Sequence, residues 1–68
     1  MKKGDTVRWK YGRGHAKGKV VEIHQDTFEK TVQGAPIKRN GSPENPALLI
    51  EQEDGGQVVK LSSEVEKT

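Results

Sequence analysis

The sequence contains no cysteine, which removes disulfides, thiol nucleophiles and cysteine metal ligands together. Aromatic residues are nearly as scarce: Trp9, Tyr11 and Phe28 are the only three. A cage around a cationic group needs several rings about one point. At least one of these three must pack the interior, so the sequence argues against such a cage. The longest uninterrupted apolar run is the four residues 47–50, ALLI, far short of the roughly 20 that cross a bilayer. No apolar stretch follows Lys2 and Lys3, so no secretory signal is visible and a cytoplasmic location is the expectation.

What is present is short and polar. A chain of 68 residues makes one domain, residues 1–68 with a core at about 3–65, that buries about 60% of its unfolded surface. Seven valines, three isoleucines and three leucines, with the three aromatics and Met1, must build nearly the whole interior. That leaves no material for a second core. The formal charge of +2 is too small to name a partner, but its distribution is uneven. Residues 1–24 carry a balance of +5 and residues 25–68 a balance of −3. A folded chain would then have a basic side and an acidic side, able to steer an anionic partner.

The apolar pattern is that of strands. Val7, Trp9 and Tyr11 share one parity and Thr6, Arg8 and Lys10 the other, the period of two of a half-buried strand at residues 5–11. Gly12 and Gly14 mark a turn. A second strand is expected at residues 16–24, where adjacent Val20 and Val21 cannot both face one side of a regular ladder. Either Val20 meets a second surface, or a bulge near Gly18 turns it inward. Residues 27–33 alternate again, with Phe28 and Val32 expected inside and Gly34 to Pro36 ending the strand. Residues 37–46, IKRNGSPENP, read as the longest loop, because proline cannot sit in a regular ladder. Residues 47–52 and 57–61 form a closing hairpin around Glu53-Asp54-Gly55-Gly56. Ser62 to Val65 suit a single helical turn. Five short strands with so few apolar residues predict an all-β, strongly curved sheet closed into a small barrel, with Trp9 beside Phe28 in one interior.

No catalytic constellation assembles from these residues. His15 and His24 are nine positions apart, with no metal-ligand spacing around them and no nucleophile paired to either. Gly12, Gly14 and Gly18 do not form a phosphate-cradling loop before a helix. The expectation is therefore no enzyme, no metal and no cofactor. Arg8 and Lys10, opposite in parity to Trp9, form a basic stripe with Lys17, Lys19 and Arg13. That stripe suits salt-dependent, nonspecific nucleic-acid binding, although no stacking platform shares its face. The stretch around Lys38, Arg39, Asn40 and Asn45 combines charged donors with amides. With Tyr11 beside it, it is the candidate surface for a protein or peptide partner; the alternatives are a self-satisfied structural loop and a purely architectural role in a larger assembly.

Three segments carry a family resemblance: GDTVRWKYGRGHAKGKVVEI, KRNGSPENPALLI and EDGGQVVKLSSEV. Over residues 3–65 they resemble the bacterial and fungal hypervirulence-associated proteins with a Tudor-like domain, earlier described as a domain of unknown function. Members have a KRNAS-like stretch, then an acidic residue and Asn-Pro-Ala. Lys38, Arg39, Asn40, Ser42, Glu44, Asn45, Pro46 and Ala47 match that pattern. Gly41 stands where alanine is usual, which points to a tighter loop. The resemblance implies a small five-stranded SH3-like (Tudor-type) barrel and no known enzyme activity. Peptide or methylated-residue binding follows from the Tudor name only as fold analogy.

Overall fold

The computed structural model describes residues 2–32 and 34–68, with the backbone alone for Val32. The expected burial of Met1 and of the Val32 side chain, and the expected strand end at Gln33, lie outside the described residues. Among the described residues seven strands follow in order: β1 Thr6–Tyr11, β2 Gly14–His24, β3 Thr27–Val32, β4 Ala35–Asn40, β5 Ala47–Gln52, β6 Gln57–Leu61 and β7 Glu66–Lys67. A 3-10 turn, Ser62–Glu64, joins β6 to β7. The alternation of β1 has the predicted consequence: Val7 and Trp9 are buried, and Thr6, Arg8 and Lys10 are exposed.

The fold is all-β, but the expected closed five-stranded barrel is not formed. Strands β6-β5-β2-β1-β7 make one antiparallel sheet, and β3 and β4 pair only with each other in a second, two-stranded sheet. The large sheet stays open because β6 and β7 occupy its two edges, with the 3-10 turn carrying the chain between them instead of a shared ladder. Only Val7 and Arg8 of β1 find partners on β7. Residues 35–40, expected to terminate a strand and open a loop, instead form β4. Pro36 lies opposite Thr31 on a strand whose only ladder partner is β3, and a two-stranded sheet leaves one side of each strand without backbone partners for proline to interrupt.

Two hydrophobic clusters replace the single interior that was expected. Val7, Trp9, Val20, Leu48, Ile50 and Val65 form one, with Ile23 and Val58 packed against it. Ala47, Leu49 and Val59 form the other, and Phe28, Ile37, Val21 and Leu61 pack against that. Trp9 and Phe28 therefore belong to different clusters. Strand β5 explains the division: Leu48 and Ile50 point to one face of the sheet, Ala47 and Leu49 to the other, and all four are buried. The β3–β4 hairpin covers the second face. The ambiguity at Val20 and Val21 is resolved by a bulge, placed between Val20 and Glu22 rather than near Gly18. Its extra residue sends Val21 to the second cluster while Val20 and Ile23 both reach the first. Gly18 has another reason to be glycine: a Cβ there would stand 2.8 Å from the Glu51 carbonyl oxygen and closer still to Ile50.

Candidate functional site

Lys38, Arg39 and Asn40 lie on β4, and each is engaged within the chain. The Lys38 ammonium is 3.7 Å from Glu29, on the paired strand. Arg39 reaches past its own hairpin to Glu64 in the 3-10 turn, at 2.6 Å. Thr27 donates a hydroxyl hydrogen bond to the Asn40 side-chain oxygen at 3.2 Å, across the register pair that they form. Asn45 is more deeply committed. Its side-chain oxygen accepts from the Ser62 hydroxyl at 3.0 Å and the Ser63 N–H at 2.9 Å, so it ties the 3-10 turn to the 41–46 segment. Its own N–H donates to the Ser42 hydroxyl, and Ser62 N–H to the Pro46 carbonyl.

Glu64 binds Arg39 and also accepts the Leu61 N–H at 2.7 Å. Partial burial works against its charge. The Arg39 hydrogen bond, the Leu61 N–H and the nearby charges of Arg39 and Lys60 outweigh that cost and hold the Glu64 carboxyl below its ordinary range. His24 stacks on Phe28, ring centres 3.9 Å apart, and its Nε2 lies 2.9 Å from Glu22. The stack joins β2 to the hairpin cover, as does the pair of Lys30 on β3 with Glu22 at 3.9 Å, while the His24–Glu22 contact lies within β2. His15 sits at the other end of β2, opposite Lys10. Among the described residues no group of three or more His, Asp or Glu side chains is placed to hold a metal ion.

The basic residues of the stripe are brought together. The β1–β2 register sets Arg8 directly opposite Lys17, Thr6 opposite Lys19 and Lys10 opposite His15, all on the solvent face of the sheet. Residues in such cross-strand pairs have Cβ atoms about 5 Å apart, and like charges there repel. Arg8 is offset by Glu66 of β7, at 3.1 Å. Among the described residues Lys10, Lys17 and Lys19 have no ion-pair partner within 4 Å. Arg13 is exposed at the hairpin tip, and Tyr11, 73% exposed, stands beside it.

Two acidic residues border the stripe. Glu66 lies next to Arg8 across β7, and Glu51 next to Lys19 across β5. A shallow groove of 280 Å³ lies over β2 and β5, lined by Thr6, Lys17, Lys19, Glu51 and Glu53 among others. Sequence reasoning found the cations by parity but missed this frame, because Glu51 and Glu66 come beside Lys19 and Arg8 only through strand pairings between residues far apart in the chain.

A family model described as "Hypervirulence associated proteins TUDOR domain" matches residues 4–65. No curated protein and no solved structure matches the chain. No helix among the described residues is long and apolar enough to cross a membrane.

Proposed function

The chain belongs to the family of hypervirulence-associated proteins with a TUDOR domain, and from that premise we infer that it is a non-enzymatic interaction module that docks an anionic protein or peptide partner. The observation that carries this reading is the solvent face of the β1–β2 hairpin. Arg8, Lys10, Lys17 and Lys19 share it, two of them directly opposed, and the three lysines are without internal counter-ions among the described residues. Such an arrangement costs stability in the free chain and is relieved by an anion laid across it. Tyr11 at the hairpin end supplies an amphipathic contact beside the charges. Lys38, Arg39, Asn40 and Asn45 act mainly within the fold, since each already has a partner there.

A second reading, binding of a nucleic-acid backbone, draws on the same four cations and on the size of the hairpin, because a two-stranded ribbon fits a major groove about 12 Å wide. Titrating the full chain with polyglutamate at low and at physiological salt tests the main reading. Binding should weaken as salt rises, and replacing Lys10, Lys17 and Lys19 by serine should lower affinity on the order of tenfold with the melting temperature retained. Absence of binding at low salt, to polyglutamate and to nucleic acid alike, removes both readings.

A further inference from the structure

We propose that the partner is a single extended acidic segment with carboxylates at alternate positions, lying along the β1–β2 hairpin, and that the acidic frame of the stripe disfavours duplex nucleic acid. The proposal rests on the reading of this face as an anion-binding surface and names the form of the anion.

Spacing comes first. Residues two apart on a strand project from the same face about 6.8 Å from one another. Arg8 and Lys10 form one such row and Lys17 and Lys19 the neighbouring one, staggered by the register so that Arg8 and Lys17 stand side by side, with Lys10 one step beyond them and Lys19 one step before. An extended peptide has the same repeat, so Glu-x-Glu presents carboxylates at about 6.8 Å intervals along one edge. Its charges meet the two rows in step. Two adjacent glutamates point to opposite sides of an extended chain, so only one of each pair reaches the sheet.

Width comes second. Strands lie about 4.8 Å apart, so the rows bounded by Glu66 on β7 and Glu51 on β5 enclose a band about 14 Å across from carboxylate row to carboxylate row. One extended chain fits between them. A ribbon seated in a major groove about 12 Å wide instead has phosphates along both flanks, the side on which Glu66 and Glu51 stand. Like charges would then face each other along both walls, a device that selects against the wrong partner. Single-stranded nucleic acid fits the width but draws affinity from stacking on aromatic rings. The stripe's own face carries no Trp, Tyr or Phe: Trp9 is 5% exposed and faces the first hydrophobic cluster, Phe28 packs against the second, and the exposed Tyr11 shares the parity of Trp9, opposite to the stripe.

The test measures fluorescence anisotropy of the full, unaltered chain at low salt with four labelled probes. They are an alternating Glu-Ser peptide of 12 residues, a peptide of the same composition with its glutamates in adjacent pairs separated by pairs of serines, a 12-base-pair duplex and its single strand. The alternating peptide should bind about fivefold tighter than the paired isomer, as expected when some of several weak exposed pairs are lost. It should also bind tighter than either nucleic acid. The variant E51Q/E66Q should raise duplex affinity more than peptide affinity. Equal binding of the two peptides, or tighter binding of duplex or single strand, overturns the proposal while leaving the anion-binding reading in place. Failure of every probe overturns both.

Discussion

A methyl group at residue 41 has no room. A Cβ on Gly41 would lie 2.6 Å from the His24 carbonyl oxygen, 2.7 Å from the Ala47 nitrogen and 2.9 Å from the Asp26 carbonyl oxygen. All three are backbone atoms, and the Gly41 N–H already donates to Asp26. The tightness foreseen from a glycine in an alanine position is therefore a close approach of three backbone segments. Replacing Gly41 by alanine should destabilise the fold by about 1–3 kcal/mol, measured by urea unfolding, because the strain cannot be taken up by a flexible side chain. Asn45 gives a second test at this scale. Asn45→Ala removes the acceptor for Ser62 and Ser63 and should cost about 1–2 kcal/mol. Asn45→Asp keeps both acceptor positions and should recover at least half of that loss. Equal losses in the two variants would show that the hydrogen bonds are not the source of the stabilisation.

Among the elements, β5 decides the architecture, because its two buried faces require two covers. The curved β1–β2 sheet supplies one and the β3–β4 hairpin the other. Trp9→Phe and Phe28→Leu should therefore lower stability independently, with the double variant additive to within about 0.5 kcal/mol in denaturant midpoints. A larger coupling would mean that the two rings share one packed interior after all. Strands β1, β2, β3, β5 and β6 were legible in the sequence because alternation and glycine turns are local signals. Strand β4 was not: Pro36, Asn40 and Gly41 have turn composition, and what makes residues 35–40 a strand is pairing with β3 and the burial of Ile37 against the second cluster. Closure was not legible either. Whether edge strands meet depends on where a 3-10 turn steers the chain, and no periodicity reports that. The candidate surface divides the same way. Parity placed Arg8 and Lys10 on one face, whereas the pairing of Lys17 with Arg8 and of Glu51 with Lys19 is a matter of register between strands.

For the molecule as a whole, the cover on the second face is fastened to the end of the large sheet by an ion pair whose strength depends on pH. Arg39 on β4 and Glu64 in the 3-10 turn join the small sheet to the end of the large one. The carboxyl of Glu64 is held below its ordinary range when folded, chiefly by the Arg39 hydrogen bond working against the cost of burial. A depressed carboxylate contributes stability that is fully present above its unfolded value, about 4.3, and is lost as pH falls through the folded value. The stability difference between the natural chain and Glu64→Gln should thus be constant at neutral pH and vanish in acid, beginning below about pH 4.3. Salt should shrink it, since both side chains are about a third exposed. Hydrogen exchange then locates the effect. Acid should lower the protection of β3 and β4 amides, relative to the intrinsic exchange rate at each pH, before that of β1 and β2 amides, because the fastening belongs to the hairpin and the β1–β2 ladder has its own cluster beneath it. If all four strands lose protection together at each pH, the pair acts only through global stability and the hairpin is not separately fastened.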